Sequence, residues 1–442
     1  MLRYRKVETY QRLWRLRSFK QHATLPEHIL DCPECGLRVD VPQLLQGQEC
    51  SCPRCGYRLA RVEANPFLAP LCFAVGALII MAVVYTQMFI TVEMPGVGVY
   101  SALSFPEMVK TLILQDFGIL AEIMFILTFG TPLLFLLLCT YVFTALHLQT
   151  HVPALLYATR TMVRLREWIM VDVFFISTLV AYIKLRSVAL VTFGPSFWLM
   201  LIFAILLIRT SVSVPQHWVY YQIHRLIGRS PIEPPDDSRN ICCSRCHYFR
   251  PVEEQECGVC GTSLFTRRPK SLSVSGAFLL AAIILYIPAN TFPIMISSNP
   301  TALEISTIMS GIIYMWEDGD RLIAVIIFSA SIVVPILKIV SMAVLILSAR
   351  FGLPASIKKM SVAYRITESI GRWSMIDIFV IIILMSAFHT PMARVLPGPA
   401  AIYFCLVVLL TMLSAHFFDS RLLWDKYRQD QTDLSRLKHA HE

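Results

Sequence analysis

Trp168-Ile169-Met170-Val171-Asp172-Val173-Phe174 opens an apolar run, and Trp373-Ser374-Met375-Ile376-Asp377-Ile378-Phe379 opens another 205 positions later. Each copy sets an aspartate one turn inside what reads as a transmembrane helix, where an ionised carboxylate is costly unless it has a partner or a wet cavity. Working outward, the same offset of 205 relates Arg160 to Arg365, Lys184 to His389, and Cys52 and Cys55 to Cys257 and Cys260. Cys32 and Cys35 precede Cys243 and Cys246 by 211, so the second copy lacks six residues between its cysteine pairs. These offsets mark an internal duplication.

Composition makes the duplicated unit a membrane one. Of 442 residues, 56% are hydrophobic and only 16% charged, and the mean hydropathy is +0.60, too apolar for an ordinary soluble protein. Eight spans are predicted, over 67–91, 119–148, 168–185, 193–208, 274–296, 322–347, 373–389 and 400–417. A proline kink is expected in the second at Gly130-Thr131-Pro132 and in the sixth at Pro335. The polar stretch 93–116 reads as a loop, and the basic, cysteine-bearing start lacks a signal-peptide pattern, so entry through an uncleaved first helix is expected. The fold class is an all-α polytopic membrane protein. Four spans per half make the repeats parallel.

The expected organisation is a basic arm (1–31), a first cysteine ribbon (32–62), a four-helix membrane repeat (63–212), a linker (213–240), a second ribbon (241–268), a second membrane repeat (269–418) and a tail (419–442). Placing both ribbons on one side gives that side 32 of the 39 Lys and Arg residues and leaves the opposite loops with Lys110, Arg186, Arg321 and Arg394. Both termini and both ribbons are therefore expected in the cytosol. The formal charge of +9 has the same origin and does not call for nucleic acid.

Eight of the thirteen cysteines form four Cys-x-x-Cys pairs: Cys32 and Cys35, Cys52 and Cys55, Cys243 and Cys246, Cys257 and Cys260. In polar cytosolic segments this pattern reads as reduced thiolates holding metal rather than a disulfide framework. Two knuckles per ribbon close a tetrahedral four-thiolate site with no open position for water, so structural zinc is expected and iron is the alternative. Cys50 and Cys242 stand beside the pairs and leave the ligand choice to the spacing.

Inside the spans, Lys338 lies three residues after Pro335, with Ser331 one turn before that proline. A central ammonium costs roughly 3 kcal/mol or more when unpaired. Ser331, Lys338 and Asp377 would form a proton-responsive cluster between the sixth and seventh helices. The blander reading of Asp172 and Asp377 is complementing a helix N-terminus or snorkelling to water. Lys184 and His389 read as interfacial, and Asn290, between Pro288 and Pro293, as satisfying backbone groups freed by the break. No phosphate loop and no His-Glu-x-x-His motif is present, so no catalytic residue is assigned.

Together these features resemble the PqiA/LetA family of Gram-negative inner-membrane proteins. The resemblance rests on the duplicated ribbons and on Tyr286-Ile287-Pro288-Ala289-Asn290-Thr291-Phe292-Pro293, Ser306-Thr307-Ile308-Met309-Ser310-Gly311, Ala330-Ser331-Ile332-Val333-Val334-Pro335-Ile336-Leu337-Lys338 and Asp419-Ser420-Arg421-Leu422-Leu423-Trp424-Asp425. It implies tetraspanin-type four-helix units and partnership with a periplasmic MCE-domain tunnel protein. It also implies loading or extraction of membrane phospholipid driven by the proton gradient, with a polar core of Thr307, Ser331, Lys338 and Asp377. The first half offers no lysine between Leu134 and Leu138 to match Lys338, which favours one working site, in the second half. A non-transporting scaffold for the partner and a lipid-modifying enzyme are the alternatives.

Overall fold

The computed structural model describes residues 5–6, 9–11, 24–94, 99–114, 118–185, 190–228, 240–298, 303–317, 319, 321–352, 357–373, 375–387, 389–390 and 393–427. The chain is mostly helical. Its first strands, β1 (Arg5–Lys6), β2 (Thr9–Gln11), β3 (His28–Asp31), β4 (Arg38–Val41), β5 (Gln48–Ser51) and β6 (Arg58–Arg61), build two small sheets in the orders β1-β4-β3 and β2-β5-β6. Residues of the basic arm thus pair with the ribbon. Cys32-Pro-Glu-Cys35 turns between β3 and β4, and Cys52-Pro-Arg-Cys55 between β5 and β6.

The first membrane half comprises α1 (Leu68–Thr86), β7 (Met88–Met94), β8 (Val99–Ser104), α2 (Phe105–Leu114), α3 (Gly118–Phe125), α4 (Thr131–His147), α5 (Leu155–Leu165), α6 (Val171–Leu185), β9 (Leu190–Phe193), α7 (Pro195–Ser213) and α8 (Gln216–Leu226). The second ribbon comes next with β10 (Asn240–Cys242) and β11 (Phe249–Pro251). The second half then repeats the order as α9 (Ser271–Thr291), β12 (Met295–Ser298), β13 (Leu303–Ser306), α10 (Ile308–Glu317), α11 (Arg321–Phe328), α12 (Val334–Phe351), α13 (Ile357–Trp373), α14 (Ile376–Ala387), β14 (His389–Thr390), β15 (Ala393–Pro397) and α15 (Pro399–Phe417). A tail helix over 421–427 takes the place of α8. The duplication inferred from spacing is therefore visible element by element.

Six helices among the described residues are long and apolar enough to cross a membrane, at Leu68–Thr86, Ala121–His147, Pro195–Ser213, Ser271–Thr291, Ser329–Phe351 and Pro399–Phe417. They are apolar all round, and packing selects which side faces inward. In α1 the buried seam is Pro70, Ala74, Ala77, Met81 and Val84, while Ile79 and Val83 are exposed. Small residues at the seam let backbones approach, and the large apolar ones face the hydrocarbon. In the second half Ser275 and Ser414 hydrogen-bond across the contact between α9 and α15.

Several expectations need correction. The first and fifth spans stop at Thr86 and Thr291, because β7 and β12 continue the chain as apolar strands that hydropathy alone reads as more helix. The polar loop over 93–116 contains β8 and α2. Small sheets lie at this end of both halves, in the orders β8-β7-β9 and β13-β12-β15-β14. The expected third and seventh spans are α6 and α14, of 15 and 12 residues. At 1.5 Å per residue they reach only about 22 and 18 Å, short of roughly 30 Å of hydrocarbon. The expected kinks are π turns at Ile126–Gly130 and Ser329–Val333, each just before the proline.

The short helices form the seam. α6 packs on α14, and α14 also touches α2 and α3 of the first half. Phe174 and Phe379, the last residues of the two repeated motifs, meet edge to face with centroids 5.4 Å apart, both fully buried. Contact between equivalent residues is the mark of an isologous, two-fold interface.

Candidate functional site

Asp172 is the second residue of α6 and Asp377 the second of α14. Each therefore sits in the first turn and not one turn inside, because the helices begin after the tryptophans. A carboxylate there meets the unpaired amides and the positive end of the helix. Asp172 is half-buried. The side chains of Asp377 and Lys184 lie outside the described residues.

Lys338 occupies the first turn and a half of α12, only 3% exposed, and its Nζ has no hydrogen-bond partner among the described residues. Ser331 is buried inside the π turn that precedes it. A π turn inserts one residue into the helix and re-aims the side chains beyond it, and such bulges concentrate at functional sites. The first half has the same turn before Pro132, with buried Thr128 where Ser331 stands, its hydroxyl bonded back to the Met124 carbonyl at 2.5 Å. In that register Phe135, fully buried, occupies the place of Lys338. The two halves share a frame and differ in its polarity.

Thr307 is not drawn into this group. It caps α10: its hydroxyl accepts the Ser310 amide at 3.1 Å, and the Ser310 hydroxyl accepts the Thr307 amide at 2.8 Å, the reciprocal pattern of a capping box. Asn290 donates from Nδ2 to the Tyr286 carbonyl at 2.8 Å, whereas Pro288 frees the carbonyl four residues before itself.

Both cysteine quartets assemble. Cys32, Cys35, Cys52 and Cys55 are buried with their sulfurs within 4.8 Å of one another, as are Cys243, Cys246, Cys257 and Cys260. The closest Sγ pairs are 3.5 Å (Cys32 with Cys55, Cys243 with Cys260) and 3.6 Å (Cys35 with Cys52, Cys246 with Cys257). A tetrahedral ion with ligands at about 2.3 Å requires sulfurs about 3.8 Å apart, so the donor set fits a metal. Cys50 and Cys242 belong to neither quartet. Burial pushes the Cys50 thiol up to about 11, as expected of an inert structural cysteine.

Backbone geometry supports the knuckles. Gly261 at φ +66° donates its amide to the Cys257 carbonyl at 2.7 Å. The knuckle Cys243-Ser-Arg-Cys246 has no glycine there, and His247 takes the left-handed conformation at φ +61°. Burial pushes His247 down to about 4 and holds His217 well below the usual imidazole range. Burial also pushes the Glu34 carboxyl up to about 7, against the pull of Arg365. Arg365, Ser420 and Trp424 lie against ribbon 1, and His217 and His224 against ribbon 2. Spacing arguments missed these roles, since each joins segments far apart in the chain.

Comparison with known proteins identifies relatives of the whole chain. A family model described as paraquat-inducible protein A matches residues 68–224 and again 272–428, one match per membrane half. The intermembrane transport protein PqiA of Escherichia coli (strain K12) is 31% identical over 420 residues, covering 94% of this chain and 100% of that protein. The lipophilic envelope-spanning tunnel protein A of the same strain is 30% identical over 401 residues, covering 90% and 91%. A probable intermembrane transport protein of Haemophilus influenzae is 27% identical over 420 residues, covering 92% and 98%. No solved structure matches.

Proposed function

The chain belongs to the paraquat-inducible protein A family, and from that premise we propose that it is the inner-membrane component of an intermembrane phospholipid transport system. The relatives' names, intermembrane transport protein and envelope-spanning tunnel protein, support transport over enzymatic turnover. In this reading α6 and α14 complete eight spans in two parallel, tetraspanin-like four-helix units, the membrane thinning or the preceding turns embedding to match their length. Both ribbons and both termini face the cytosol, and the β-sheets at the other end face the periplasm. The protein loads or extracts lipid there for an MCE-domain tunnel partner, driven by the proton gradient. The eight clustered thiolates hold two structural zinc ions.

One observation carries the transport reading: a buried lysine with no hydrogen-bond partner among the described residues, a turn past a π bulge, in only one of two duplicated halves. Natural proteins rarely keep an unpaired ammonium at such depth unless it acts. Lys338 is then the group that gains and loses a proton, with Ser331 and Asp377 completing the relay. Thr307 caps the start of α10, and it, Asp172, Lys184 and Asn290 have lesser parts. The test is lipid transfer with the reconstituted partner by normally folded Lys338→Ala and Asp377→Asn variants. Both are expected to lose it, and full transfer by either would end the proposal.

A scaffold that only anchors the partner is the second reading. It draws on the sheets opposite the ribbons, whose edge strands β8, β9, β13 and β14 offer unpaired backbone for strand addition. It expects the two charge variants to be harmless and cuts in the sheet loops to be damaging.

A further inference from the structure

Chain order runs ribbon 1, first half, ribbon 2, second half. The contacts of ribbon 1 jump that order. Arg365 of α13 donates from Nη2 to the Cys55 carbonyl at 2.6 Å, and its Nε lies 3.4 Å from Glu34, inside the Cys32–Cys35 knuckle. The Ser420 hydroxyl donates to the Glu34 carbonyl at 3.3 Å, and Arg54, inside the other knuckle, stacks over Trp424 at 5.3 Å. Trp424 in turn donates to Ser361 of α13 at 3.0 Å. Both knuckles of ribbon 1 are thus gripped by α13 and the tail helix of the second half.

Ribbon 2 shows the mirror arrangement. The Arg160 guanidinium of α5 lies so close over Gly261 that any Cβ there would collide with it. Arg245, inside the Cys243–Cys246 knuckle, pairs with Glu167 at 3.1 Å. On α8, His217 Nδ1 donates to the Cys246 carbonyl at 2.7 Å, and His224 Nε2 lies 3.4 Å from the Val259 carbonyl. Each of these knuckle contacts comes from the first half, whereas away from the knuckles each ribbon also meets its own half, Arg267 pairing with Asp425 at 2.6 Å and β6 packing on α8. Arg160 and Arg365 are repeat equivalents, as are α8 and the tail helix, so the same clasp is built twice and crosses over both times.

We propose that each ribbon's metal centre is positioned by the opposite membrane half and in turn positions it, with Arg365 and Arg160 as the positioning residues. The inference rests on reading the thiolate quartets as metal centres, and is independent of transport. A divalent ion with four thiolates carries a net charge of 2−, and a guanidinium at its knuckle, hydrogen-bonded to it in the case of Arg365 and packed over Gly261 in the case of Arg160, offsets that charge and braces the turn. The consequence is unequal. α13 leads directly into α14 and Asp377, in the half that carries Lys338, so ribbon 1 governs that half. Ribbon 2 governs the half with Phe135 in the equivalent place.

The experiment uses the full-length protein in nanodiscs. Cys52→Ser and Cys257→Ser each disable one ribbon, and hydrogen exchange is compared between α5 and α13, since α8 and the tail helix each touch both ribbons. Cys52→Ser is expected to raise exchange about tenfold in α13 while leaving α5 at the wild-type rate, and Cys257→Ser the reverse. In a second arm, Arg365→Gln in the Cys257→Ser background is expected to speed metal loss to a chelator about tenfold, the usual scale for an outer-shell partner, and Arg160→Gln in the Cys52→Ser background to do the same for ribbon 2. Loosening confined to the half next in the chain after the damaged ribbon, equal loosening of both halves, or unchanged metal loss in the arginine variants would overturn the proposal. Absence of metal from the purified wild type would instead overturn the metal-centre reading beneath it.

Discussion

Lys338 sets folding against function. Its Nζ has no hydrogen-bond partner among the described residues; an ammonium so buried destabilises the folded protein by roughly 3 kcal/mol or more, and Lys338→Met removes that charge at similar volume. The variant is expected to resist thermal denaturation in detergent at least as well as wild type while losing lipid transfer. A clear drop in its melting temperature would mean that Nζ has a partner in the membrane. Asp419 is the contrasting case. Burial works against its charge, but the Arg421 guanidinium and the Arg268 and Arg421 amides, at 2.8 to 3.1 Å, hold its carboxyl below the usual carboxylate range. A depressed folded-state value means that the stabilisation is fully present above the unfolded-state value near 4 and disappears as pH falls through the folded one. Asp419→Asn should therefore cost roughly 1–3 kcal/mol at pH 7. The gap from wild type should narrow as melting is measured at successively lower pH below 4, and a gap that widens on acidification would contradict the assignment.

At the scale of elements, the last helix of each half starts where it does because a glycine allows it. A Cβ on Gly194 would overlap the Met88 carbonyl, and one on Gly398 the Pro293 carbonyl, at the points where α7 and α15 leave the sheets. Gly194 donates to the Phe89 carbonyl at 3.0 Å and Gly398 to that of Ile294 at 2.8 Å. Gly398→Ala is expected to destabilise by about 1–3 kcal/mol through overpacking, read as a lower melting temperature, while Gly276→Ala, with open space around it, is expected to be neutral or mildly stabilising. Much at this scale was legible: the four knuckles and the six long helices, two of them interrupted. The sheets were not. Met88-Phe-Ile-Thr-Val-Glu-Met94 continues the apolar run of α1 without a break, and hydropathy does not separate strand from helix when both are apolar. The π turns were visible only as prolines, because one inserted residue changes hydrogen bonding without changing composition.

For the whole molecule, the two quartets make metal part of the fold. Elemental analysis is expected to find two metal ions per chain, colourless zinc rather than coloured iron. Stripping them with a strong chelator should lower the melting temperature, because ligand binding to the native state is folding free energy. One ion per chain, or stability indifferent to chelation, would argue against two closed structural sites.

The sequence by itself determined that the chain is a duplicated, cysteine-ribboned membrane protein, because repeat spacing, hydropathy and Cys-x-x-Cys pairs are properties of linear order. It also set the repeated Trp-x-Met-x-Asp stretch at the centre of the problem, and its second lysine-bearing half apart from the first. Only the tertiary structure decided that the two copies of that stretch face each other, Phe174 against Phe379. It alone set an arginine of each half on a knuckle of the other half's ribbon, Arg365 on Cys55 and Arg160 over Gly261. The physical reason is that a repeat repeats its surfaces along with its folds. A patch complementary to its own half is equally complementary to the other copy, and which of the two it meets is settled by the closure of the whole chain in space.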